Sequence, residues 1–165
     1  MIANKTIFLI GMMGCGKSTV GRLLGQQFAL PFLDIDAAIE QSEGRSISQI
    51  FKDNGALHFR RLEQQMLDEL PGGLQIVACG GGLPCFEDNL LRLKQKGLVV
   101  YLEAPPAVLY ARIQKELHRP LLHDLQAFEQ LFLARESFYR GADVILDANV
   151  QPAELLLQLQ QLLVC

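Results

Sequence analysis

The stretch Gly11-Met-Met-Gly-Cys-Gly-Lys17-Ser18-Thr19 constrains this chain more than any other. Glycines separated by four residues and followed by Lys and Ser form a phosphate-cradle pattern. The apolar run Thr6-Ile-Phe-Leu-Ile10 before it has strand character. Val20-Gly-Arg-Leu-Leu24 after it reads as a helix, with Leu23 and Leu24 facing inward. Strand, glycine loop and helix are the setting this motif requires. Gly11, Gly14 and Gly16 let the backbone come close to an anion. Consecutive N–H groups of the loop then converge as a nest, reinforced by the positive end of the helix. Lys17 reaches the outer phosphates, and the Ser18 hydroxyl is placed to ligate Mg²⁺. A thiol at Cys15, at a helix N-terminus, is expected to react with thiol reagents.

The rest of the composition bounds the alternatives. A length of 165 residues fits one domain with a real core. Half of the residues are hydrophobic, which excludes a disordered chain. A net charge of −3 supplies no general basic surface, so nucleic acid is not expected as a partner. No apolar run reaches membrane-spanning length and the N-terminus lacks a signal-peptide pattern, so a cytoplasmic protein is expected. Cys15, Cys79, Cys85 and Cys165 show no zinc spacing and read as free thiols.

Downstream, Phe32-Leu33 suits a short buried strand with Asp34 and Asp36 at its carboxyl end. That end is where open α/β sheets bind ligands. A spacing of two puts both carboxylates on the same side of the strand. Asp36 also suits an N-cap for the helix that follows. Ser46 caps a helix bearing Ile47, Ile50 and Phe51, and Gly55 interrupts it. A second helix runs from about Ala56 to Leu70, with Phe59, Leu62, Met66, Leu67 and Leu70 inward. Arg60 and Glu63 lie off that stripe, three residues apart, as a solvated ion pair would.

Gln75 to Cys79 is a buried strand that runs into Gly80-Gly81-Gly82, where a ligand can approach the backbone. Phe86 to Lys96 reads as a helix closed by Gly97. Leu98 to Leu102 is a further strand, and Pro105 opens a helix. Lys115 to Asp124, around Arg119-Pro120, reads as a mobile loop. Leu125 to Arg140 is helical, with Phe128, Leu131, Phe132 and Phe138 apolar. Asp143 to Asp147 is the last strand, and Pro152 starts the last helix, with Leu155 to Leu163 as its core face. Strands alternating with helices give a three-layer α/β/α sandwich around a five-stranded parallel sheet.

With these landmarks placed, the sequence resembles the shikimate kinase family over nearly its whole length. The resemblance rests on Gly11 to Arg22, Phe32-Leu-Asp-Ile-Asp36, Phe59-Arg-Arg-Leu-Glu63, Gly80-Gly-Gly82 and Arg119-Pro-Leu-Leu122. It implies a P-loop kinase fold over residues 1–165, with a lid at about 112–124 and an acceptor-binding helical region at about 34–62. It also implies ATP-dependent phosphorylation of the 3-hydroxyl of shikimate, with Mg²⁺ as cofactor, by a monomer. By that resemblance Lys17, Asp36 and Arg119 are catalytic, and Ser18 and Asp34 serve the metal. Gly14, Cys15, Gly16, Lys17, Ser18, Thr19, Arg112, Arg119 and Pro152 bind ATP. Asp36, Arg60, Gly80, Gly81, Gly82 and Arg135 bind shikimate, and Glu63 orients Arg60. The chain departs from the family at Cys15, where a small residue such as Ala is usual, at Ala56, where an acidic residue is frequent, and at Ser137, where Pro is frequent.

Three other readings share parts of this pattern. A kinase for gluconate or a nucleoside monophosphate would share the loop, but Arg60, Arg135 and the glycines suit a small carboxylate. A GTP-binding switch would carry Asn-Lys-x-Asp, whereas Asn4-Lys5 is followed by Thr6-Ile7. A nucleotide-binding module without catalysis would not need Lys17, Ser18, Asp34, Asp36 and Arg119 together.

Overall fold

The computed structural model of the chain describes residues 5–115 and 124–164. The strands are β1 (Thr6–Ile10), β2 (Phe32–Asp34), β3 (Ile76–Ala78), β4 (Gly97–Glu103) and β5 (Val144–Asp147). They form one sheet in the order β2-β3-β1-β4-β5, and every pairing is parallel. The helices are α1 (Lys17–Phe28), α2 (Ile35–Glu43), α3 (Ile47–Asp68), α4 (Asn89–Lys96), α5 (Pro106–Lys115), α6 (Leu125–Arg140) and α7 (Pro152–Val164). They flank the sheet and make the expected three-layer α/β/α sandwich.

Strand β1 is central and all of its residues are buried, which is why it reads as an unbroken apolar run. Parallel pairing brings Leu9 level with Ala78 and Ile10 level with Tyr101. Asp34, at the end of β2, stands level with Ala78. The loops after β1, β2 and β3 therefore open at one edge of the sheet, the edge that binds ligands in such folds.

Several local expectations change. Helix α1 buries Val20 and Leu24, each worth about 1.5–3 kcal/mol, but Leu23 is exposed. Residues 23 and 24 lie about 100° apart around a helix, too far for both to face one sheet. Phe32 and Leu33 are only partly buried, because β2 is an edge strand. In α6, Phe138 points outward while Phe128 and Phe132 are buried. In α7, Leu157 is exposed while Leu155 and Leu159 are buried.

The expected helix over Phe86 to Lys96 is shorter. A single 3₁₀ turn at Leu83–Cys85 precedes it, and α4 begins only at Asn89. Glu87, with φ of 48°, breaks the helical path between them. Gly97 does not end α4 in a left-handed cap. Its backbone is extended and begins β4.

Helix α3 follows the sequence more closely. Ser46 accepts a hydrogen bond from the Gln49 N–H at 3.2 Å, and Gly55 departs from helical geometry at φ 82°, ψ 171°. The part after this kink runs beside the glycine segment that follows β3.

Candidate active site

The phosphate loop follows from the conformations its glycines allow. Gly16 caps α1 with φ 93°, and nothing lies within 4 Å of a Cβ added there. Its requirement is conformational, since L-residues rarely hold that φ. Gly14 (φ 84°) has a second requirement. A Cβ there would stand 2.8 Å from the Leu109 carbonyl oxygen and 2.9 Å from Ile113 Cγ2, so α5 rests directly on the loop.

Lys17 Nζ donates to the carbonyls of Gly11 (2.8 Å) and Met12 (3.0 Å) and to Cys15 Sγ (3.5 Å). These contacts hold the ammonium over the loop. The Cys15 side chain turns beneath it and is 1% exposed. This corrects the expectation of a reactive thiol: the loop that was to activate Cys15 also shields it.

Ser18 Oγ donates to Asp34 Oδ2. The other Asp34 oxygen accepts from the Ala37 N–H at 3.2 Å and so caps α2. The N-cap is therefore Asp34, and the suggestion that Asp36 fills this place is corrected. The chain turns helical at Ile35, so Asp36 belongs to the first turn of α2 and the two carboxylates do not share a strand face. Asp34 stays with Ser18, while Asp36 reaches the glycine segment.

Each glycine of the triplet makes room for different charged side chains. A Cβ on Gly80 would lie 2.5 Å from Asp36 Oδ1 and 2.7 Å from Glu63 Oε1. One on Gly81 would lie 3.2 Å from Arg135 Nη1, and one on Gly82 would overlap the Arg60 guanidinium. The triplet had suggested a ligand close to the backbone. The groups that press against it here are the protein's own arginines and carboxylates.

The Arg60–Glu63 ion pair forms, but it is not solvated. Glu63 is wholly buried and Arg60 only partly exposed. Burial pushes the Glu63 carboxyl up to about 7, against the downward pull of Arg60. Sequence periodicity missed this because the apolar stripe of α3 is interrupted by a polar strip facing the glycines.

Two residues at this junction had no expected role. Tyr139 is buried on α6, and its hydroxyl donates to the Gly81 carbonyl at 2.7 Å. Met12 is buried with Sδ 4.0 Å from Arg135 Nη1 and 3.8 Å from the Tyr139 hydroxyl. The spacing of four between Arg135 and Tyr139, which puts both on one helix face, is the signal that could have found the tyrosine.

One cleft of about 660 Å³ joins these parts. Gly14, Cys15, Gly16, Lys17, Ser18 and Thr19 line it, with Asp34, Asp36 and Gly81. Arg112, Lys115 and Pro152 line it as well. Arg112 Nη2 donates to the Ala148 carbonyl (3.0 Å) and Nη1 to that of Gly14 (3.4 Å), tying α5 to the segment after β5. Gly80, Gly82, Arg60 and Arg135 gather beside Asp36. The expected lid at 112–124 begins as the last turns of α5. Arg119 and the rest of 116–123 lie outside the described residues.

A phosphate loop on the central strand of such a sheet, with a cleft leading from it, defines a P-loop nucleotide-binding fold. The family model for shikimate kinase matches residues 13–163. A shikimate kinase of Synechococcus sp. is 42% identical over 97% of this chain and 88% of its own length. A solved shikimate kinase from Acinetobacter baumannii, in complex with shikimate, superposes with a TM-score of 0.89 at 36% identity. That match covers 97% of this chain and 93% of the other. A gluconokinase from Sinorhizobium meliloti, at 19% identity and TM-score 0.57 over 96% of this chain and 95% of its own, shares the fold alone. The chain belongs to the shikimate kinase family.

Proposed function

We propose that this protein transfers the terminal phosphoryl group of ATP to the 3-hydroxyl of shikimate, giving shikimate 3-phosphate and ADP. The observation that carries the reading is the gathering of two arginines and two carboxylates around three successive glycines, by the cleft beside Asp34. Arginine forks suit a carboxylate, and an aspartate suits neighbouring hydroxyls. Shikimate offers both on one small ring.

In this reading the adenine lies toward Arg112 and Pro152, and the phosphates lie on the loop with Lys17. Phosphoryl transfer depends chiefly on positioning and charge neutralisation. Lys17 would neutralise the phosphates, and Asp36 would orient the acceptor hydroxyl and take its proton. Arg60 and Arg135 would hold the carboxylate, with Glu63 fixing Arg60. Arg119 enters from the sequence alone, as the residue that closes over the phosphates.

Ser18 and Asp34 fit a magnesium site, since both present hard oxygen donors beside the loop and already touch. Among the described residues no group of three or more acidic, His or Cys ligands converges. Mg²⁺ bound largely through substrate phosphates requires none. Bound there, Mg²⁺ would offset charge on the phosphate oxygens.

Among the described residues no helix is long and apolar enough to cross a membrane. We further propose a monomer acting in the cytoplasm, with neither nucleic acid nor membrane as a partner. The test is ADP release coupled to a chromogenic reaction, with shikimate set against gluconate, other small hydroxy acids and nucleoside monophosphates. Turnover restricted to shikimate is the expected result. Preference for another acceptor would reassign the pocket, and ATP binding without transfer to any would leave a binding module.

A further inference from the structure

We infer that Tyr139 is a positioning residue for the acceptor pocket, acting through the peptide of Gly81. The inference rests on the shikimate reading above and adds to it a residue that touches no reactant.

The carbonyl of Gly81 accepts from the Tyr139 hydroxyl at 2.7 Å. The same glycine passes 3.2 Å, measured from an added Cβ, from Arg135 Nη1. Arg135 and Tyr139 sit one turn apart on α6, so a single helix face presses on one peptide with both groups. Without a side chain, Gly81 has many accessible backbone conformations and little intrinsic reason to keep one. The hydroxyl selects one. It thereby sets how the glycines lie against Arg135, and where the turn at Gly82 meets Arg60.

The anchor itself is firmly held. Tyr139 stacks on Tyr101 of β4 with ring centroids 5.2 Å apart and an interplanar angle of 29°. Both rings are buried in the core. Burial also raises the Tyr139 phenol above its ordinary range, so it stays a donor at any working pH. Removing one partner of such a buried pair leaves the other unsatisfied at the full cost of its desolvation.

Tyr101 provides a matched control. Its hydroxyl is buried and has no hydrogen-bond partner among the described residues. The two tyrosines thus share a stack and a burial but differ in what the hydroxyl does.

The experiment measures Michaelis constants for shikimate and for ATP, turnover and melting temperature in wild type, Tyr139→Phe and Tyr101→Phe. Each variant deletes one oxygen and keeps the ring, so the core packing is retained. In Tyr139→Phe the shikimate constant is expected to rise roughly three- to tenfold, the scale of one hydrogen bond. The ATP constant should stay within about twofold, since the donor half of the cleft is untouched. Tyr101→Phe should leave both constants at the wild-type values. A lower melting temperature in Tyr139→Phe with both constants unchanged would make the residue merely structural and overturn the inference. Equal rises in both constants, or the same kinetic change in Tyr101→Phe, would overturn it too. If the wild type does not turn over shikimate, the functional reading fails and this inference with it. If the wild type turns over shikimate and Tyr139→Phe keeps the wild-type constants, the inference alone fails.

Discussion

Arg60 and Glu63 face each other one turn apart on α3, and water reaches only the cation of the pair: the carboxylate is wholly buried while the guanidinium stays partly exposed beside Gly82. The exposed part of such a fork is the part a ligand carboxylate can use. The buried carboxylate sets its direction.

Arg60→Ala is therefore expected to raise the Michaelis constant for shikimate by roughly ten- to a hundredfold, the scale of charge-assisted hydrogen bonds. The ATP constant should barely change. Steady-state kinetics with each substrate varied in turn checks this, and a variant impaired for ATP alone would remove Arg60 from the acceptor site.

Glu63 gives the pair a pH signature. Its folded value of about 7 lies above the ordinary 4.5, so between those values the folded protein holds a proton that the unfolded chain has released. The contribution of this group to stability is fully present below about 4.5 and is lost as pH rises through about 7. Acceptor binding runs the opposite way, because only the ionised carboxylate holds Arg60 by charge. The ratio kcat/KM for shikimate should fall as pH drops below about 7. Glu63→Gln should flatten that limb and raise the shikimate constant by about tenfold. Melting curves of the two proteins from pH 5 to 8 should also diverge, with the variant relatively less stable at the acid end.

Asp36→Asn keeps the shape of the side chain and removes its charge. Turnover should fall by roughly a hundredfold or more, at the lower end of general-base contributions because phosphoryl transfer asks little of a base. ATP binding, followed by direct titration, should be retained. Undiminished turnover would take Asp36 out of the mechanism.

Gly80→Ala should act as a selective lesion. Its methyl would meet Asp36 Oδ1 at 2.5 Å and Glu63 Oε1 at 2.7 Å, so both carboxylates must shift from the places the proposed acceptor pocket needs. Shikimate turnover should drop by about a hundredfold, while ATP affinity stays within about threefold. Titration calorimetry with ATP separates this from general unfolding.

Cys15 should resist modification in the native state, because its side chain is 1% exposed. Cys85 is partly exposed, though burial pushes its thiol up to about 11. Peptide mapping after brief treatment with an alkylating reagent should find Cys85 labelled ahead of Cys15. Rapid labelling of Cys15, with ATP protection, would restore the reading of a reactive loop thiol.

The parts of the fold that local chemistry dictates were legible beforehand. The phosphate loop, the Ser46 cap, the break at Gly55 and the start of α7 at Pro152 each depend on backbone preferences that a few residues carry. The failures came where distant parts of the chain decide. Glu63 looks like a surface residue until the glycine segment is laid against α3. Asp36 suits the cap by sequence, but Asp34 takes that place by accepting from the Ala37 N–H. Leu23 and Phe138 are apolar residues that the packing leaves outside. Tyr139 carries no motif of its own, and its hydroxyl matters only because Gly81 lies against it.

The seating of α5 on Gly14 has a consequence for how rigid the cleft is. The carbonyl of Leu109 comes so near the loop that one methyl group would not fit between them, and Arg112 on the same helix bonds the loop at Gly14. In the proposed reading the helix beside the base and the cradle for the phosphates would therefore form one rigid unit. A nucleotide of the right span would order little protein on binding, which favours affinity through preorganisation. The absence of one side chain in the loop is what lets α5 and the loop act as one piece.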